Sequence, residues 1–432
     1  MRLRQILLEA FSGLETERAE ISLDLSGKTQ HSLRLPLRSF SKAARQNWHA
    51  GNTHLHLFGL TRQESDRYLT EVPRADRLDV LFTSYLLRPS EDAAYVTNQY
   101  RVGDLKNFGN TGVLMNHGEE HRNNFVAYGP GYGHVMFLNI KQLIQPVSIG
   151  PGIMGKGSDG IPLQQGIDEA HRQGGVAIWC HNDLGVERVP NFVSGKMDAQ
   201  NIFDGNAQEK YENTFYHYLN AGLRVPFSTG TDWFLYDLSR VYAQIRGTLG
   251  IQSWLNALAA GRTFISNGPL LDFKVDGREI GETIRINSAR EIEVHGRAMG
   301  RADFEKLELI QNGKVVAEVK SELSKNHYIA RLRLKLKIET PSWLALRISS
   351  GNNNEYGRRL FGHTSAVYIE IGGKAIRMPD EVSFLIGEVE RARDIVAAKP
   401  VFASTEERQR VLAVYARAID VLRKTPKPVV TR

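Results

Sequence analysis

The chain has 432 residues, 41% hydrophobic and 24% charged, with one cysteine and a formal charge of +7. That composition excludes a disordered or disulfide-stapled chain and, at ~150 residues per domain, predicts two or three domains. No apolar run approaches the ~18 residues of a membrane span. Glu9, Glu15 and Glu17 interrupt the short apolar patch behind Met1-Arg-Leu-Arg, so no signal peptide is read and a cytoplasmic location is expected. Basic residues are spread along the chain without a finger, RNP or basic-helix signature, so the expected partner is a small-molecule substrate and neither nucleic acid nor membrane. The sequence leaves the oligomeric state open. With only Cys180, any bound metal has to be held by imidazole and carboxylate.

Residues 1–47 contain two alternating stretches, Glu20–Gly27 and Ser32–Leu37, on either side of a Ser-Gly turn signal; they predict a small hairpin or edge strands. From Trp48 to Gly268, short apolar runs at Thr53–Phe58, Leu78–Leu87, Gly112–His117, His134–Ile140, Gly175–Cys180 and Leu223–Thr229 alternate with loops or helices, a β/α texture. Helices are predicted over Pro162–Gly174 and Asn206–Gly222. The stretches Gln145–Gly160 and Asp183–Gly205 read as long loops, lids or mobile connections.

Residues 269–375 turn all-β, with runs at Leu270–Val275, Glu291–Arg297, Leu307–Gln311, Val315–Val319, Tyr328–Ile338, Trp343–Ser349 and Ala366–Ile371 and a hairpin signal at Asn312-Gly313. A small Ig-like β-sandwich is expected there. Residues 376–432 read as two amphipathic helices, Pro379–Ala397 and Ser404–Lys424, packed as an antiparallel pair.

Nine of the thirteen histidines fall between His49 and His217. His54 and His56 are two apart in an apolar run, and residues i and i+2 of a strand share a face, so the two rings can converge on one point. Polar residues also close or open the other runs: Glu119 and Glu120, which compete for one role, then His134, His181 and Asp232. If the strands are parallel and barrel-forming, such residues meet at one mouth. His171 and His217 sit within predicted helices and read as surface or core residues; His49, His117 and His121 are weaker candidates than the strand-end set.

At these residues the sequence resembles the PHP (polymerase and histidinol phosphatase) superfamily, in particular its CehA/McbA, carbaryl-hydrolase-like branch. The resemblance runs from Trp48 to about Leu271. It is carried by Asn52-Thr-His-Leu-His56, Gly118–Glu120, Gly133-His134, Gly174-Gly-Val-Ala-Ile-Trp-Cys-His181, the segment from Tyr218 to Asp232, and Gly261-Arg-Thr-Phe-Ile-Ser-Asn-Gly-Pro269. It implies a distorted seven-stranded (β/α) barrel over 48–268, which the sandwich and the helical pair read from patterning would follow. It also implies one or two divalent ions, Zn, Mn or Fe: one held by His54, His56, Glu120 and Asp232, the other sharing Glu120 with His134 and His181. The ligands of a third metal are missing, because Leu81-Phe-Thr-Ser-Tyr-Leu lacks an Asp-His pair and Asp232 is followed by Trp233-Phe234.

The expected function is therefore metal-dependent hydrolysis of an ester, amide or carbamate by an activated water, with Asp232 and His181 in catalytic roles. Arg224, Arg240 and Arg262 are candidate anion clamps, with Arg224 and Arg262 assigned to substrate. A phosphoesterase, or a binding protein with a vestigial metal site, is the alternative.

Overall fold

The computed structural model describes residues 5–26, 30–41, 47–89, 94–126, 129–206, 210–233 and 237–424. A sixteen-stranded sheet dominates it, and thirteen of its strands lie on one continuous path. At the centre of the site-bearing half, Val80–Tyr85 lies parallel to Trp48–Asn52 on one side and to Leu114–Asn123 on the other. Its first five residues are buried, as a strand covered on both faces must be.

The expected seven-stranded β/α barrel is not what forms. The fold is a mixed α/β protein built on one large curled sheet, a half-barrel of thirteen strands. Leu114–Asn123 and Gly133–Leu138 pair antiparallel, because residues 124–132 are too few for the crossover of a dozen or more residues that parallel strands need. Gly133–Leu138 and Val176–Trp179 are also antiparallel; Ala199–Asn201 and Phe227–Ser228 then add in parallel. On the other side, Arg240–Gln244 and Thr263–Ser266 return antiparallel next to Trp48–Asn52. The path then continues through Gly362–Thr364 into Ser342–Ser349 and the Lys306–Gln311/Lys314–Lys320 hairpin. The sheet therefore runs through both the 48–268 and 269–375 segments. The curl brings its edge strand back against the middle, where Thr263 Oγ1 donates to Phe227 O at 2.7 Å and Phe227 N donates to Ser365 Oγ at 2.9 Å.

A second, five-stranded sheet holds Leu270–Val275, Arg290–Gly300 and His327–Ile338. It shares one apolar core with the far end of the large sheet, through Phe273, Val294, Leu309, Leu332 and Leu346. The hairpin turn is at Asn312-Gly313, with φ of 50° and 85°, the left-handed pair that an Asn-Gly turn favours.

At the N-terminus, Ala19–Asp24 pairs with Gln5–Ala10 and not with the 32–37 stretch, which forms no strand. Gly27 of the turn signal, residues 207–209 of the helix expected at Asn206–Gly222, and Phe234 lie outside the described residues. The rest of that helix is reduced to Phe215–Asn220 after a short 3-10 turn. The two stretches read as long loops contain ordered elements: Ser148–Ile149 and Pro151–Met154 in the first, Arg188–Val193 and Ala199–Asn201 in the second. Helices Pro379–Ala398 and Thr405–Lys424 bury Leu385, Val389, Val411 and Tyr415 in the same core as the site-bearing strands. Among the described residues, no helix is long and apolar enough to cross a membrane.

Candidate metal centre

The His54–His56 segment leaves the sheet and pairs in parallel with Asp232–Trp233, with Asp232 opposite Leu55 and Trp233 opposite His56. The backbone fixes this: Asp232 N donates to His54 O at 2.9 Å, and Asn52 Oδ1 accepts from His54 N at 3.1 Å and from Thr231 N at 3.3 Å. Gly230 sits so close that a Cβ there would lie 2.6 Å from His54 Cβ. His181 and Asp232 both take positive φ, 58° and 57°. Non-glycine residues hold such backbone only when the surroundings impose it, and it recurs at functional sites.

Six predicted ligands come together. His54 Nε2 and His56 Nε2 are 3.1 Å apart, and Asp232 Oδ1 lies 3.3 Å from the first and 3.7 Å from the second. Glu120 lies between two groups: its Oε2 is 3.1 Å from His56 Nε2, and its Oε1 is 2.8 Å from His134 Nδ1 and 3.4 Å from His181 Nε2. Among the described residues, His54–His56–Asp232 and Glu120–His134–His181 are each grouped closely enough that they could hold a metal ion.

The tautomers test whether the donors fit a cation. His56 Nδ1 is 3.0 Å from the carbonyl oxygen of Ser84, which only accepts, so Nδ1 carries the proton and Nε2 presents a lone pair. His54 Nδ1 is likewise tied to the Asp204 carboxylate at 3.0 Å. Its Nε2 therefore faces the lone pair of His56. His134 Nε2 is 2.8 Å from Asn124 Oδ1, which turns the Nδ1 lone pair toward Glu120 Oε1 without a hydrogen bond between them. Acceptors that face one another at these distances repel unless a proton or a cation lies between them. Ligand atoms around an ion with ~2.0–2.2 Å bonds stand about 3 Å apart, so the donor set fits divalent metal at both groups.

The buried carboxylates make the site anionic, so it favours positive charge at the rings, carried by a proton or by a cation that displaces it. Burial disfavours a charged imidazole, yet Asp232, Asp204 and Glu120 more than reverse this at His54 and raise its pKa. The same balance, led by Asp204 and Asp232, raises His181 well above the ordinary value. At His134 burial wins over Glu120 and pushes the ring down to about 4, leaving it a neutral donor. Burial opposes the charge of Glu120, but Arg122, His134 and His181 hold its carboxyl well below the ordinary glutamate range.

Asp204 is a site residue that the sequence reading missed. It follows the short strand Ala199–Asn201 and is fully buried. Besides bonding His54, it accepts from the His181 backbone N–H at 2.9 Å and lies 3.5 Å from the His181 ring Nδ1. It orients both rings, the usual role of a carboxylate behind a ligating histidine. Its signal was a strand-end position, concealed because residues 183–205 read as a loop. Cys180 Sγ falls near His54 and Asp204, but burial holds its thiol well above the ordinary value and it lies 3.9 Å from Ile178 O, so it stands as a neutral neighbour.

No family model matches the chain, and no curated protein matches it. Among solved structures, a crystal structure of an engineered protein is similar at 11% identity and a TM-score of 0.19, over 72% of this chain and 53% of that one. The chain thus spans about half that protein's length, and the likeness is too slight to bear on fold or chemistry.

The structure does not bring Arg224, Arg262 or Arg240 to the cluster. Arg224 donates to Thr283 Oγ1 at 2.7 Å and lies over the Tyr368 ring, Arg262 donates to Gln244 O, and Arg240 is buried against the carbonyls of Leu238 and Asp76. His171 and His217 pair with Asp198 and Glu381, and His121 with Glu119 on the opposite face of the Glu120 strand. His49 lies 3.3 Å from Asp79, and His117 is buried with neither ring nitrogen hydrogen-bonded. Beside His56 stand Tyr95 and Trp233, with ring centroids at 5.8 and 5.7 Å, and Phe58 packs on both.

Proposed function

We propose that the chain is a metal-dependent hydrolase that cleaves an ester, amide or carbamate bond of a small molecule. The observation that carries this reading is Glu120, whose two oxygens face separate sets of lone pairs, His56 with His54 and Asp232 on one side and His134 with His181 on the other. The order of these residues resembles that of PHP-type metallohydrolases and adds support, without the barrel. Zn, Mn or Fe held there in one or two copies would supply a water of lowered pKa and Lewis-acid polarisation of the scissile group.

The chain's own residues divide the remaining work. His54, His56 and Glu120 have side chains 3% exposed or less, whereas His181 is 17%, Asp232 10% and His134 9% exposed, so a substrate would meet these three, with His181 the most open. His181 Nδ1 lies 3.8 Å from Asp232 Oδ2, too long for direct transfer, so a proton passed between them toward the leaving group would travel through one water. Asp204 keeps the rings of His54 and His181 oriented throughout. Phe58, Tyr95 and Trp233 offer an apolar wall for the rest of the substrate. A phosphoester is the second reading, favoured by the buried Arg122 guanidinium near Glu120.

Assay of p-nitrophenyl acetate, p-nitrophenyl phosphate and an aryl carbamate with added Mn2+ or Zn2+ tests the reading. Metal-dependent turnover of at least one is expected, with His54→Ala and Asp232→Ala each lowering it by about 10²–10⁴ while the protein stays folded. Full activity in either variant, or no turnover by the metal-loaded protein, would overturn it.

A further inference from the structure

Arg122 lies two residues beyond Glu120 in Leu114–Asn123, so both side chains leave the same face of the strand. Glu119 and His121 take the other face, where the His121 ring packs on Phe137. Arg122 is 2% exposed. Its Nη1 is 3.8 Å from Glu120 Oε2, and among the described residues no protein acceptor reaches its Nε or Nη2. Asp232, Tyr95 and a second guanidinium, Arg88, are near enough for their charges to bear on it.

This is an unusual state for a buried guanidinium. Glu120 is the only carboxylate in ion-pair range of it among the described residues, and the oxygens of Glu120 already face His56, His134 and His181. Each buried N–H donor left without a partner costs ~1–3 kcal/mol. A purely structural counter-charge for Glu120 would be better served by closer, paired contact. A planar fork of free N–H groups next to a reactive centre matches a carboxylate or phosphate.

We propose that Arg122 is a specificity-determining residue that receives an oxyanion of the substrate, a carboxylate or a phosphate, next to the reacting bond. This rests on the metallohydrolase reading and restricts its substrates to anionic esters or amides, or to phosphoesters.

The experiment is calorimetric titration of inorganic phosphate and of benzoate into wild type, Arg122→Gln and Arg122→Lys, each metal-loaded and metal-free, with metal content and melting temperature measured on every sample. Wild type is expected to bind at least one of the two anions. Arg122→Gln should weaken that binding about tenfold or more, with Arg122→Lys between them and the metal content of all three alike. Phosphate as the bound anion points to a phosphoester, and benzoate to a carboxylate-bearing substrate. Unchanged affinity in Arg122→Gln, or no binding of either anion by wild type, would overturn the inference. Failure of wild type to take up metal would instead overturn the hydrolase reading, and the metal-free titrations then still decide the role of Arg122. A merely structural Arg122 would lower the melting temperature without altering anion affinity.

Discussion

The ring of His56 shows how little freedom the site leaves its side chains. Its Nδ1 is committed to the Ser84 carbonyl, so its tautomer is set before any ligand arrives, and the only lone pair it can offer points at His54 and Glu120. His54 and His56 were legible in the sequence because an i, i+2 pair depends on nothing beyond local geometry. Asp204 was not, since its strand is three residues long and gives no periodicity. Arg122 was readable in principle: once Glu120 is placed on a strand, the residue two further on must share its face.

A second buried acid, Glu187, is outside the ligand set. Burial pushes its carboxyl up from 4.5 to about 8, against hydrogen bonds from Leu163 N and Asn191. In the unfolded chain the same group ionises first, so unfolding releases a proton between these values and stability falls as pH rises from about 4.5 to 8. The loss attributable to this residue is at most about 5 kcal/mol. Chemical denaturation from pH 5 to 8.5 should show the decline in wild type and a flatter profile in Glu187→Gln, which keeps an acceptor for Leu163 N. Parallel profiles would contradict the assignment.

At the scale of elements, the β-runs were readable and their directions were not. Apolar runs such as Val176–Trp179 look alike in parallel and antiparallel ladders, so a β/α reading assumes crossovers that the sequence does not contain. The short 124–132 connection was the available sign, and it puts Glu120 and His134 on adjacent antiparallel strands. The joint between Leu55–His56 and Asp232–Trp233 is two residues long and depends on the bare backbone of Gly230. A methyl group there would press on His54 Cβ and N. Such overpacking costs ~1–3 kcal/mol, and here the strain falls on two ligands. Gly230→Ala is expected to lower both the melting temperature and metal affinity, the latter by at least about tenfold. Metal titration that finds wild-type affinity would show that the joint does not position the site.

At the scale of the molecule, the sheet and the C-terminal helices hold the site strand from both ends. Asp159 takes hydrogen bonds from Asn123 Nδ2 at 2.7 Å and from Val401 N at 2.8 Å, so the segment between the two C-terminal helices is tied to the residue that follows Arg122. Glu120 and His134 stand on strands of the large sheet, His56 and Asp232 on a separate two-stranded joint, and His54 and His181 on the short segments beside them. Five segments of sequence, carrying His54 with His56, Glu120, His134, His181 and Asp232, converge there, and Glu120 lies between the two groups. Mass-spectrometric metal analysis of protein reconstituted with Zn2+ or Mn2+ and then dialysed tests that convergence most directly. One to two equivalents are expected in wild type, and their loss in Glu120→Ala, because ligand sets of this kind hold divalent ions tightly; wild type retaining less than about 0.2 equivalents would contradict the account.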